Sequence, residues 1–385
     1  MTTTITTNST DLVFIGHNPV KIVATLKNQL LLTLKEDRTN VLTHQKHQQL
    51  LEQLIEQIRN FMCGNFFTKP AKDIFDNFQL ERELVEQDVL GYFIVNLDRL
   101  SEHVSRHLIE IFVHIITNYA YQTRRPLAEA LVDYDYLLSE LCRFVCHPSD
   151  TASIVSTQML TACCEHFSLA RKLVNLSIGE INRTSGIVFY IQLLQQIPGI
   201  INFNQLAQIF KFLRALLLIN DEVTIYAFNR DMHQLIKAFN VILGGHCHQY
   251  ARFKCLFLFG DLIQNRKLQT FINAYTTNSE NLMLFYDWAM KKLHSIDCKQ
   301  EFIKIFEVFR LFYLNPNNIN NNEFKKFAMD NYLMITSIVD NAERMRSYSD
   351  LALMYPEYND VRKSLDQMAG KPSKGLSRSD SSDSI

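Results

Sequence analysis

Apolar residues recur three and four positions apart along this chain from residue 19 to about 340, the spacing that gathers side chains on one side of an α-helix. Ile22, Val23, Leu26, Leu30 and Leu34 form one such stripe, and Asn18 followed by Pro19 supplies its N-cap and first helical residue. Leu50, Leu51, Leu54, Ile55, Ile58, Phe61 and Met62 form the next. Further stripes run through Val104, Leu108, Ile111, Phe112 and Ile115; through Leu206, Ile209, Phe210, Leu213, Leu216 and Leu217; and through Phe302, Ile305, Phe306, Phe309, Phe312 and Tyr313. Each needs a neighbouring helix to bury it.

The stripes repeat at a steady interval. Phe210 to Phe257 is 47 residues and Phe257 to Phe306 is 49, close to the spacing of about 40 to 47 residues at which armadillo and HEAT units recur. A single irregular helical bundle is the alternative. The even succession of helices and the lack of any strand series favour an all-α, armadillo/HEAT-like helical repeat solenoid, curved into a horseshoe. Turn chemistry at Thr123–Pro126, His147–Asp150, Pro198–Asn202, Gly244–His248 and Asn315–Asn322 separates the units. The expected organisation is a disordered segment over 1–17, the repeat domain over 18–345, a helical or irregular extension over 346–369, and a disordered Ser-rich tail over 370–385.

Composition agrees with that class. Among 385 residues, 47% are hydrophobic, with 27 Phe and 15 Tyr to fill a long core, and 11 Gly and 8 Pro are few for a loop-rich or all-β fold. Lys and Arg number 39 against 40 Asp and Glu, so no global field exists to hold a nucleic acid. The N-terminal residues lack the basic start and apolar run of a secretory signal, and no stretch reaches the roughly 18 apolar residues that span a bilayer. A cytoplasmic protein without membrane insertion is expected, its eight cysteines reduced.

Candidate chemistry is thin. Gly244-Gly245-His246-Cys247-His248 and Cys142-x-x-x-Cys146-His147 gather potential metal ligands, but neither has the second spaced pair of a zinc site. Cys163 and His166, at i and i+3, can touch on a helix as a nucleophile and its base must; helix packing is the preferred reading. Phosphate-cradling glycine loops and His-Glu-x-x-His are missing. No enzyme, no metal and no cofactor are expected.

One run carries a family likeness. Met159-Leu160-Thr161-Ala162-Cys163-Cys164-Glu165-His166-Phe167-Ser168-Leu169-Ala170-Arg171 resembles the Met-Leu-Arg-Glu-Cys-Ile-Arg-His-Glu-Pro-Leu-Ala-Lys signature of the calcium-binding protein 39 family, also called Mo-twenty-five. Tyr275 with Ser279-Glu280-Asn281-Leu282 resembles its Tyr-Ile-Ser-Lys-Pro-Glu-Asn-Leu, and Val308-Phe309-Arg310-Leu311-Phe312 with Asn315-Pro316-Asn317 resembles its Val-Phe-Lys-Val-Phe-Val-Ala-Asn-Pro-Asn. The landmarks are colinear from about residue 18 to 340.

The resemblance implies a non-catalytic scaffold that grips a protein kinase or pseudokinase of the STRAD or sterile-twenty type on a concave face, stabilises its active form, and through it serves a liver kinase B-like kinase. Phe203 matches a concave-face Phe of the family. The family's Arg and Lys on the helix before Gly260-Asp261-Leu262-Ile263 are replaced by Phe253 and Phe257, with Tyr250, Arg252 and Lys254 beside them. Its pocket for a Trp-Glu-Phe tail, lined by a Met and closed by a Lys, falls at Tyr286 and near Met329. The expected partner surface is therefore Phe203, Tyr250, Arg252, Lys254, Phe257, Tyr286 and Met329. The lost cations leave a second reading open, a diverged helical-repeat adaptor with another protein partner.

Overall fold

The computed structural model of the chain describes residues 18–35, 41–64, 71–117, 135–175, 202–218, 221–244, 248–293, 299–315, 318, 321–344 and 355–370. Among them every regular element is a helix, and none is long and apolar enough to cross a membrane. The segment 1–17, nearly all of the 370–385 tail, and His246 and Cys247 of the Gly-His-Cys turn lie outside the described residues.

The helices fall into two compact units that divide at Val223 and Thr224. The first holds α1 (Pro19–Lys35), α2 (Val41–Cys63), α3 (Ala71–Glu86), α4 (Val89–Val95), α5 (Glu102–Thr117), α6 (Asp135–Val145), α7 (Asp150–Cys164), α8 (Phe167–Asn175) and α9 (Phe203–Leu218). Helices α2, α5, α7 and α9 pack side by side in that order as one layer, while α1, α4 and α6 line up as another. This is the stacked pattern of a helical repeat, each unit burying the stripe of its neighbour.

Local signals account for the elements. Asn18 Oδ1 accepts from the Val20 amide at 3.1 Å and Pro19 opens α1, as their residue types require. Val23, Leu26 and Leu30 then lie fully buried, each burial stabilising by about 1.5–3 kcal/mol. Helix α7, touched by α5, α6, α8 and α9, is buried almost all round. Its Ala152, Ser153, Ser156 and Ala162 let these neighbours approach, and a helix enclosed on every side needs no polar face. Between α3 and α4 the chain turns at Asp88, whose φ of 54° is left-handed. Gly91 follows one turn later because a Cβ there would stand 2.0 Å from Asp88 Oδ1.

The second unit holds α10 (Asp221–Gly244), which begins three residues before the divide and kinks at Asp231, then α11 (Gln249–Gln264), α12 (Gln269–Thr276), α13 (Ser279–Leu293), α14 (Lys299–Leu314), α15 (Asn322–Asp330), α16 (Tyr332–Arg344) and α17 (Tyr355–Met368). Here α11, α14 and α17 form the side-by-side layer, with α12, α13, α15 and α16 against it. An aromatic cluster makes the core. Phe259 lies 5.4 Å from Phe239, 4.8 Å from Tyr275 and 6.1 Å from Phe271, ring centre to ring centre, and Tyr275 stacks on Phe312 at 5.9 Å. Such pairs add to area burial about 0.5–1.5 kcal/mol each.

The Asn-rich stretch after α14 also has structural work. Asn318 is buried, accepts from Thr276 Oγ1 at 2.8 Å and donates to the Phe312 carbonyl at 3.0 Å, tying α12 to the end of α14. Asn321 Oδ1 caps α15 by accepting from the amides of Glu323 and Phe324.

Candidate functional site

Phe203 stands at the first residue of α9 with 49% of its surface exposed. A set of side-chain hydrogen bonds fixes that corner to the α6–α7 turn. Asn202 Oδ1 accepts from the Asn204 amide at 2.9 Å, and the Asn202 and Asn204 side-chain amides both donate to the Asp150 carboxylate, at 3.3 and 2.7 Å. Gln205 Nε2 donates to the carbonyls of Cys146 and His147 at 3.1 and 2.9 Å. An exposed aromatic ring on an anchored helix end loses little entropy when a partner covers it.

In the second unit, His248 Nδ1 accepts from the Tyr250 amide and so starts α11. Ala251, Cys255, Leu256, Leu258, Phe259, Leu262 and Ile263 are buried, and the partly exposed residues Tyr250, Phe253, Lys254, Phe257 and Asp261 follow the helical repeat along the opposite side. Phe253 and Phe257 meet edge to face at 4.6 Å, and Lys254 Nζ sits 5.4 Å over the Tyr250 ring. Both are favourable aromatic arrangements, and both hold their rings in place. The result is a strip of three rings and one ammonium.

Two expected positions move. Arg252 is two residues from both Tyr250 and Lys254, which turns it about 200° around the helix from each. Its Nε is shielded from solvent and unpaired, so Arg252 leaves the strip, while Phe253 joins it through its ring contact with Phe257. Tyr286 is 0% exposed. Its hydroxyl shares a hydrogen bond of 2.6 Å with that of Tyr313, and its ring stacks on Phe327 at 5.2 Å. Burial, with the Tyr313 neighbour behind it, raises the Tyr286 hydroxyl well above the usual tyrosine range. Tyr286 is a core residue and offers no surface. Met329, on α15, is 54% exposed.

Among the described residues, burial disfavours the thiolate at Cys146, Cys163 and Cys164. Cys163 and Cys164 are fully buried, and burial raises both thiols; the Cys146 thiol is pushed up to about 12 by the same cause. A neutral buried thiol is neither nucleophile nor metal ligand. Among the described residues no three His, Cys, Asp or Glu side chains gather into a metal-binding group.

The model of a family described as Mo25-like matches residues 14–322. No curated protein matches the sequence. Among solved structures, the designed armadillo repeat protein YIII(Dq.V1)4CPAF, in complex with peptide (KR)4, is similar with a TM-score of 0.40 at 13% identity, over 74% of this chain and 99% of that one.

Proposed function

The chain belongs to the Mo25-like family, and from that membership we propose that it is a non-catalytic helical-repeat scaffold that binds a protein kinase or pseudokinase, of the STRAD or sterile-twenty type, and stabilises its active conformation. The observation that carries this reading is the α11 strip, where Tyr250, Phe253, Lys254 and Phe257 leave aromatic area partly uncovered on a layer helix. Aromatic side chains on a rigid element are the usual hot spots of protein interfaces. Phe203, on its anchored corner of the first unit, and Met329, on α15, are further contact positions. A scaffold activates a kinase to the extent that it binds the active arrangement more tightly than the inactive one.

A second reading, a helical-repeat adaptor with a different protein partner, draws support from two observations. Phe253 and Phe257 occupy positions where the resemblance calls for cations, and Phe327 already stacks on Tyr286 where it calls for a peptide pocket. Affinity purification with quantitative mass spectrometry separates the two. A kinase or pseudokinase recovered stoichiometrically with the wild type, and lost with Phe253→Ala/Phe257→Ala, is the first reading's outcome; another protein recovered with the same dependence is the second's.

A further inference from the structure

A groove of about 730 Å³ runs along α10, is walled opposite by the end of α12 and the start of α13, and has no residue of the α11 strip in its lining. Its α10 wall is His233, Ile236, Lys237, Asn240, Val241 and Gly244. These positions fall at i, i+3, i+4, i+7, i+8 and i+11, so one helical stripe beyond the Asp231 kink forms the whole side. At 1.5 Å per residue the stripe is about 16 Å long, room for about five residues of extended chain.

The amides of Asn240 and Asn281, which face each other across the groove, are already hydrogen-bonded. Asn240 Nδ2 donates to Asn281 Oδ1 at 2.6 Å, Tyr275 donates its hydroxyl to Asn240 Oδ1 at 3.1 Å, and Asn281 Nδ2 donates to the Tyr275 carbonyl at 3.3 Å. The rim is not satisfied. Among the described residues, Lys237 and His233 make no hydrogen bond or ion pair, and Asn278 spends its side-chain oxygen on the amides of Glu280 and Asn281 while its NH₂ meets no acceptor. Among the described residues, no Asp or Glu lines the groove.

Polarity changes along its length. The two nitrogen-bearing side chains His233 and Lys237 occupy one end, and Val241, Gly244 and Leu284 make the other apolar. Gly244 holds that end open, since a Cβ there would press to 3.1 Å against Leu284 Cδ2. Unpaired donors beside an ammonium call for carboxylates, and the apolar end calls for an aliphatic side chain.

We propose that this groove binds an extended acidic peptide segment of a partner protein, with carboxylates at Lys237 and His233 and an aliphatic side chain between Val241 and Leu284. Charge complementarity selects the acidic end, groove length sets about five residues, and the free Asn278 amide serves one peptide carbonyl. The site lies on α10, α12 and α13, so it is independent of the kinase reading of α11.

The test is methyl NMR of Ile-, Leu- and Val-labelled full chain, titrated with Ac-Glu-Asp-Gly-Val-Leu-NH₂ and, separately, with Ac-Lys-Lys-Gly-Val-Leu-NH₂. The expected result is saturable shifts of Ile236, Val241 and Leu284 with the acidic peptide, and binding at least about tenfold weaker for the basic one. Lys237→Glu should weaken the acidic peptide about tenfold while leaving the remaining methyl spectrum unchanged, because Lys237 is exposed. Equal shifts with both peptides, no saturable shift with either, or indifference to Lys237→Glu overturns the inference. So does inorganic phosphate reproducing the same shifts, which would assign a simple anion site instead.

Discussion

Tyr286 and Tyr313 bury their hydroxyls against each other at 2.6 Å, between α13 and α14. Tyr286→Phe would leave the Tyr313 hydroxyl without this partner, at a cost of about 1–3 kcal/mol. The double change Tyr286→Phe/Tyr313→Phe should cost less than the sum of the single ones, because both polar atoms then go. Denaturant melts of the four proteins measure this coupling. The same burial, which raises the hydroxyls of Tyr275, Tyr286 and Tyr313, sets an alkaline limit. These groups hold their protons more firmly folded than unfolded, so their contribution is complete below pH about 10 and falls as pH rises beyond it.

Glu81 on α3 follows the same sign in a lower window. It is buried, and His114 Nε2 stands 3.8 Å from its Oε1, too far for a hydrogen bond, so desolvation pushes its carboxyl up to about 7. A raised carboxyl contributes stability fully below the unfolded value of about 4.5 and loses it as pH rises through 7. Glu81→Gln should therefore flatten stability between those pH values and make the protein more stable at pH 8, by about 1–3 kcal/mol. Thermal melts across pH 5 to 8 check the sign.

Gln205 anchors the α9 corner that carries Phe203. Gln205→Leu removes both donations to the α6–α7 turn and should cost about 1–2 kcal/mol. Hydrogen exchange would show faster amides in the first turn of α9 and unchanged protection at its buried middle, Phe212 to Leu216. Uniform protection throughout α9 would mean that the Asn202–Asp150–Asn204 bonds suffice alone.

The helical stripes, the Asn18–Pro19 start and the repeat interval were legible because each rests on short-range periodicity that a backbone must obey. Tyr286 was not. Its burial depends on Tyr313 and Phe327, 27 and 41 positions away, and no local pattern tells an aromatic pocket from one already filled by the chain's own ring. The run of Asn is the connector its composition indicates, but the burial of Asn318 was not legible for the same reason, since it depends on Thr276, 42 positions away. Arg252 differs, because its turn away from Lys254 follows from helix geometry alone; the alternation of basic and aromatic residues drew attention to sequence neighbours that share no face.

The central claim is that α11 presents a kinase-binding strip, and calorimetric titration with a purified pseudokinase of the STRAD type or a sterile-twenty-type kinase domain tests it most directly. The account predicts one-to-one binding by the wild type, weakened about 30-fold by Phe257→Ala and by Phe253→Ala with the melting temperature nearly unchanged, as truncating a hot-spot ring by about 2 kcal/mol requires. Arg252→Glu, off the strip, should leave affinity within about threefold and lower the melting temperature instead, since it places a carboxylate where the Arg252 Nε is shielded from solvent. Wild-type protein that gives no binding heat with either kinase class, or Phe253→Ala and Phe257→Ala proteins that remain folded and bind as tightly as wild type, would contradict it.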